Sequence, residues 1–317
     1  MSRPRALVSA ARGIGDILRV TPLVRVCARL GYDVDVLIAS DYADVAALIE
    51  RDADIRTVFH VPSPWRGGAI TNIAAVSAAQ YDVATFTYWS LALRQHVRAS
   101  RMLAFDQAQW LRDGDTACVR AIARQLGWQA ALPPPFAHAG PPTVRVPAGT
   151  VALHPGCKPD WPWKKWHGFD ALAARLPNVV VLGSDADRIT DGTYFQRAFA
   201  WPAHVIDLTG QLDLAGTAAV LSQCAALVAN DSGLMHLGAA LGIPTFGIFG
   251  ITSPARECMD APNMTAITKG LPCEPACRRG PWGRRDCEHR LRCLRALDAV
   301  EVLEQSGLAQ RVSAWTI

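Results

Sequence analysis

At 317 residues, half of them hydrophobic and 19% charged, the chain excludes an intrinsically disordered protein and is long enough for two α/β domains with separate cores. Its net charge of +4 fits an acidic ligand or a membrane surface as well as an ordinary solvated surface, and gives no grounds for a nucleic-acid partner. No run of about 18 apolar residues occurs, which excludes a transmembrane helix, and no cleavable apolar segment follows the N-terminus, so the expected address is cytoplasmic.

Arg5–Ala10 is mostly apolar and is expected as a central strand. Arg12-Gly13-Ile14-Gly15-Asp16 follows, and then Ile17, Val20, Leu23, Val24, Cys27 and Leu30 mark a helical face that Gly31 ends. Val34–Ile38 is the next strand. The Gly13–Asp16 turn lacks the third glycine of a dinucleotide fingerprint, so a nicotinamide site is rejected. Residue chemistry alone leaves Asp16 as a helix cap or as a functional carboxylate. Ala43–Ile49 is expected as a helix, Thr57–Val61 and Tyr81–Phe86 as strands, and Ser63–Thr71 as a loop. Ser90–Arg101 is expected to place Arg94, Arg98 and Arg101 on one helical face, either solvated or meeting an anionic ligand. Prolines crowd Gln125–Gly149 and mark a linker, separating a domain of residues 1–145 from one of 150–296, with 297–317 as a closing helix and tail.

The second half repeats the rhythm, with strands expected at Val151–Leu153, Val179–Leu182, Val205–Asp207, Ala226–Ala229, Thr245–Phe249 and Thr265–Ile267. Helices are expected at Phe169–Ala174, Asp213–Ser222, Met235–Ala240 and Leu297–Ser306. Two parallel α/β domains joined by a linker imply a cleft, with ligands at the carboxyl ends of the strands. Those ends carry His154-Pro155-Gly156-Cys157 with Trp163-Lys164-Lys165-Trp166, then Gly183–Arg188, then Asn230-Asp231-Ser232-Gly233-Leu234-Met235-His236. Asp231 or Ser232 caps the last helix, and the free amides of its first turn suit a diphosphate. His236 either bonds a backbone carbonyl or donates to phosphate. Asp185 or Asp187 either holds ribose hydroxyls or completes a polar turn.

Four of the nine cysteines, Cys273, Cys277, Cys287 and Cys293, crowd one proline- and arginine-rich segment of residues 272–293. That spacing admits a structural iron or zinc site, free thiols or disulfides, the last disfavoured by a reducing compartment.

Asp231-Ser232-Gly233-Leu234-Met235-His236, with Phe249-Gly250-Ile251-Thr252-Ser253-Pro254-Ala255-Arg256, resembles the Asp-Ser/Thr-Gly-x-x-His and Phe-Gly-x-Thr-x-Pro-x-Arg signatures of glycosyltransferase family 9, the heptosyltransferases of lipopolysaccharide assembly. The resemblance implies a GT-B fold of two Rossmann-like domains facing a central cleft. It assigns Asp16 as the catalytic base, with Gly15 beside it. Lys164 becomes the cation on the leaving diphosphate, with Lys165 as its alternative because the chain departs from the family pattern at His167-Gly168-Phe169. His154, Gly156, Asp185, Asp231, Ser232, Gly233, Leu234, Met235, His236 and Thr252 are expected to hold the nucleotide sugar. Ile251 and Ser253 depart from the family residues. The resemblance implies inverting transfer from a nucleotide-diphospho-sugar, ADP-heptose above others, to an anionic glycan or a protein, at the inner membrane surface or near it, without a catalytic metal or organic cofactor. The cysteine segment resembles that of the autotransporter heptosyltransferases, which implies structural iron. Two other functions remain open at this stage: a nucleotide-sugar epimerase or hydrolase, and a non-catalytic binding protein built around the cysteine loop.

Overall fold

β1 (Arg5–Ala10) runs through the middle of a sheet and is buried at every position after Arg5, as a near-continuous apolar run requires of a strand covered on both faces. It is seen in a computed structural model that describes residues 3–10, 12–62, 73–191, 196–274 and 287–310. The chain packs as two units, Met1–His138 with Met259–Ala261, and Ala139–Cys258 with Pro262–Ile317. Among the described residues no helix is long and apolar enough to cross a membrane.

In the first unit β1 is followed by α1 (Ile14–Arg29), β2 (Asp33–Ala39), α2 (Ala43–Ala46), β3 (Ile55–Val61), α3 (Ala74–Ala78), β4 (Gln80–Phe86), β5 (Arg98–Ala104) and α4 (Gln107–Gln125). All five strands are parallel, in the order β3-β2-β1-β4-β5. The order reverses between β1 and β4, so the turns after these two strands are where such a sheet takes ligands. α1 keeps a proline, Pro22, in its interior. A proline there leaves the carbonyl four residues earlier without its amide, and the Thr21 hydroxyl donates to that Leu18 carbonyl at 2.7 Å. At the amino ends of the strands the Asp35 carboxylate is fully buried; Arg5 donates to it at 2.9 Å and the Tyr81 hydroxyl at 3.0 Å, and Arg56 closes the cluster. Burial, then the charge of Asp35, pushes the Tyr81 phenol well above its ordinary range.

Two expectations fail in this unit. Ser90–Arg101 is not one helix: Tyr88–His96 coils as 3-10 turns, and Arg98 and Arg101 lie on β5, paired in parallel with β4. An edge strand tolerates exposed charges, and ladder pairing outweighs the helical spacing of the arginines. The 19-residue α4, capped by the Asp106 side chain on the Gln109 amide at 2.7 Å, has no counterpart in the sequence reading. Ser63–Thr71 lies outside the described residues.

The second unit contains β6 (Val151–His154), α5 (Phe169–Ala173), β7 (Val179–Val181), the hairpin β8 (Ile189–Asp191) and β9 (Gln196–Ala198), β10 (Val205–Asp207), α6 (Leu214–Leu221), β11 (Ala226–Asn230), α7 (Gly233–Ala240), β12 (Thr245–Ile248), α8 (Pro254–Glu257), β13 (Met264–Ile267), α9 (Arg292–Arg295) and α10 (Ala299–Ser306). Six parallel strands form its main sheet in the order β10-β7-β6-β11-β12-β13. Trp166 and Phe169, edge to face at 5.0 Å, anchor the core with Val302 and Leu308 around them. The Trp166 indole donates to the Leu297 carbonyl at 2.9 Å, so α10 is part of this unit's own core.

Candidate functional site

In the second unit β6 and β11 are neighbours, and their carboxyl ends carry the loops that the sequence singles out. Asn230, the last residue of β11, is fully buried and ties the loops together. Its side-chain amide donates to the Pro155 carbonyl at 2.6 Å, while its carbonyl accepts from the Trp166 amide at 3.0 Å. Both halves of a buried amide are thereby satisfied. The sequence reading gave Asn230 no role; the available signal was a polar residue closing an otherwise apolar buried strand.

The clamp brings Lys164 to the start of α7. Pro162–Lys164 forms a 3-10 turn, and the Lys164 ammonium donates to Asp231 Oδ2 at 2.7 Å. It also stands 5.4 Å from the centre of the Trp161 ring, a cation–π placement. Burial disfavours the Lys164 ammonium, but Asp231 and Glu257 outweigh it and its pKa lies above the ordinary lysine value. Burial likewise pushes the Asp231 carboxyl up, yet Lys164 first and His236 next pull it below the ordinary carboxylate range. The pair is therefore charged at neutral pH. Thr252 lies beside Asp231 with its hydroxyl buried. Ser232, not Asp231, caps α7, its hydroxyl accepting from the Met235 amide at 3.4 Å. Gly233 and Leu234 are half-buried in the first turn, whereas the Met235 and His236 side chains are buried.

Several expected ligand groups serve the protein itself. His154 is buried, with Nδ1 at 2.8 Å from the Leu182 carbonyl, and burial holds its pKa below the usual value. A Cβ on Gly156 would come within 2.3 Å of the Asp187 carboxylate, so the glycine makes room for a side chain of its own unit. Asp187 is buried and accepts from the Ser184 amide and hydroxyl, each at 2.8 Å, which completes a polar turn. Asp185 is exposed and paired with Arg188 at 2.9 Å. Lys165 is buried beside His154 and Cys157. Burial pushes the Cys157 thiol up to about 12, so it stays protonated even with both lysines close by, and it donates to the Trp161 carbonyl at 3.1 Å.

Asp16 lies in the first unit, in the first turn of α1, the turn after β1. Gly13 precedes it with φ 78°, a conformation that favours glycine, and a Cβ there would stand 2.8 Å from Asp16 Oδ2. The carboxylate therefore folds back over the turn, a quarter exposed, with Arg19 Nη1 3.6 Å from Oδ1. Gly15, the residue before it in α1, is buried.

Of the expected metal ligands, Cys277 lies outside the described residues. Cys293 packs in the main core, whereas Cys287 belongs to a separate apolar cluster with Trp161, Ile251 and Leu291. Among the described residues no three histidine, cysteine or acidic side chains are placed to hold a metal ion. No step of the chemistry is routed through this segment.

Residues 120–281, half of the chain, match the family model described as glycosyltransferase family 9 (heptosyltransferase). A lipopolysaccharide heptosyltransferase 1 from Pseudomonas aeruginosa is 39% identical over 69 residues, which are 22% of this chain and 19% of that relative. The chain thus matches about a fifth of that relative's length. The solved structure of the E. coli heptosyltransferase WaaC with ADP is similar with a TM-score of 0.67 at 18% identity, covering 97% of this chain and 99% of that one. The iron-containing dodecameric glycosyltransferase TibC from enterotoxigenic E. coli gives 0.63 at 15% identity, over 100% of this chain and 77% of that one. These likenesses are of fold, and they place the two sheets in the α/β GT-B class.

Proposed function

The chain belongs to glycosyltransferase family 9, the heptosyltransferase family, and from that membership we propose that it is an inverting glycosyltransferase that moves heptose from ADP-heptose to a hydroxyl of a cell-surface glycan of the lipopolysaccharide type. The observation that carries this reading is the buried Lys164–Asp231 pair at the start of α7. An ammonium has three donors and no acceptor. One is taken by Asp231, which fixes the side chain, and the others serve the β-phosphate together with the first-turn amides of α7. WaaC was solved with ADP, the diphosphate such a cradle suits. Asp185, exposed and held by Arg188, remains the proposed ribose group; His154 and Gly156 support the loop instead.

In the reaction Asp16 accepts the proton of the acceptor hydroxyl as that oxygen bonds to the anomeric carbon. The bond from that carbon to the diphosphate oxygen breaks, and its electron pair leaves with ADP. Lys164 and the α7 amides offset the charge that grows there. The proposed place of the reaction is the cytoplasm, where the donor is met.

The test is a thermal-shift series with ADP, AMP, UDP, GDP, CDP and dTDP, followed by assay with ADP-heptose. ADP at a hundred times its Kd should stabilise by about 2.7 kcal/mol, with AMP well behind it and the ADP effect lost in Lys164→Met. A shift selective for another base removes heptose from the proposal, and no shift with any diphosphate removes the transferase. Release of ADP without an acceptor at the full rate favours a hydrolase.

A further inference from the structure

Two aromatic residues, Tyr88 and Trp89, follow β4 directly after Thr87, at the carboxyl end of the strand. Both are half-buried. The turn that presents them is held by its own hydrogen bonds. The Thr87 amide donates to Ser90 Oγ at 2.8 Å, and the Thr87 and Ser90 hydroxyls are 3.1 Å apart. Thr87 and Ser90 are themselves buried, so this capping box fixes the two residues between them.

The rings make a corner. Tyr88 lies flat on the buried Trp110 of α4, with centroids 4.3 Å and planes 2° apart. Trp89 stands nearly perpendicular to both, 5.1 Å from Tyr88 and 6.0 Å from Trp110. Those distances put Trp89 beside the stack, not on top of it. One face of Tyr88 is thus taken by Trp110, and among the described residues no ring and no cation lies on the other. Arg12 stands over the Trp89 ring at 4.2 Å. It belongs to the turn after β1, the turn that leads into Asp16. The corner therefore ties together the turns after β1 and β4, between which the strand order reverses.

We propose that Tyr88 and Trp89 form a ring-binding subsite for the acceptor, in which a pyranose of the acceptor glycan lies on the outer face of Tyr88 with Trp89 as its side wall. The inference rests on the glycosyltransferase reading and not on which group is the base. A transfer has two substrates. The proposed diphosphate cradle belongs to the second unit, through Lys164 and α7, so the acceptor needs a place of its own. The ligand-bearing end of the first unit's sheet is where these rings stand. A sugar ring carries hydroxyls at its rim and carbon-bound hydrogens over its faces. An aromatic face meets those hydrogens by dispersion and by the attraction of its negative π surface for their slight positive charge. Tyrosine and tryptophan lose little conformational freedom in making such a contact. The contact is the same before and during the reaction, so it belongs to acceptor binding and not to the chemical step.

The test measures binding first and transfer second, on the full-length chain. The probe is a deacylated, heptose-free lipopolysaccharide core oligosaccharide, titrated calorimetrically beside ADP. Tyr88→Ala should weaken oligosaccharide binding about tenfold and leave ADP binding unchanged. Trp89→Ala, which removes the wall but not the platform, should weaken it about threefold. Tyr88→Phe keeps the ring and should restore binding to the wild-type level. Tyr88→Leu, apolar but without a ring, should behave as Tyr88→Ala does. In transfer from ADP-heptose to the same oligosaccharide, Tyr88→Ala should raise the acceptor KM about tenfold and act far less on kcat. Covering Trp110 asks only for an apolar side chain, so wild-type binding by Tyr88→Leu overturns the inference in favour of a packing role. Equal oligosaccharide binding by wild type and Tyr88→Ala overturns it whatever the activity. A wild type that binds ADP but not the oligosaccharide also overturns it, whereas one that binds neither overturns the glycosyltransferase reading itself.

Discussion

After β1 the chain turns through Gly13 into α1 and leaves a quarter of the Asp16 side chain exposed; after β11 it turns into α7 and leaves 4% of Asp231 exposed. Each carboxylate stands at a helix start, where the partial positive charge of the free amides favours an anion. Each also has a cation, but at 3.6 Å in one case and 2.7 Å in the other. A proton acceptor must keep an oxygen available to its substrate, so a tight ion pair would disable it. A group whose work is to fix a lysine does best when it is buried and saturated. The same sequence element, an acid beside a strand-to-helix turn, thus occurs in two settings that differ in burial and in the distance of the cation beside it.

The comparison predicts different consequences for removing the two charges. Asp16→Asn should lower kcat by about 10²–10⁴ while the urea midpoint hardly moves; an equal loss of folding stability would show that Asp16 is mainly a structural cap. Asp231→Asn should do the reverse. It leaves a mostly buried ammonium without its partner and should cost about 3 kcal/mol of unfolding free energy, measured by urea denaturation. The double variant Lys164→Met/Asp231→Leu should recover most of that stability but not the ADP-induced thermal shift.

Acid should act on the same pair. The folded Asp231 carboxyl titrates below its ordinary value, so its stability contribution is present above the ordinary carboxylate pKa near 3.9 and is lost as pH falls through the lower, folded value. Lys164 titrates above its ordinary value; its contribution is present below the ordinary lysine pKa near 10.4 and disappears as pH rises through the folded one. Each unit of displacement corresponds to about 1.4 kcal/mol, and the two limbs describe one shared interaction. Unfolding free energy measured against pH should therefore flatten at the acid end in Asp231→Asn. The smallest effect is expected at Asp185, an exposed partner of Arg188. Asp185→Ala should leave the unfolding midpoint unchanged, and only a weakened response to ADP, beside an unaltered response to inorganic pyrophosphate, would support its place at the ribose.

The sequence made β1, β11 and α7 legible because continuous apolar runs end in a glycine turn or a capping serine, and such signals are local. α4 was hidden by Gly114, which interrupts the helical pattern at the point where the backbone itself breaks. β5 was misjudged because its arginines happen to repeat at helical spacing, while only pairing with β4 reveals the strand. The roles within the site were harder. Lys164 and Asp231 are 67 residues apart, and nothing local distinguishes Lys164 from Lys165. His154 and Gly156 stand in a ligand-like motif, yet their neighbours Leu182 and Asp187 show that they brace the loop.

Asn230 gives the second unit a vulnerability of a single atom. Its side chain donates to one backbone group and accepts from another, so hydrolytic deamidation, which exchanges the NH2 for an oxygen, would set two acceptors against each other at Pro155. Shape and volume would hardly change. Chemical ageing at this one position would push the β6 loop off β11 and carry Lys164 away from α7, removing the proposed donor site in a molecule otherwise still folded.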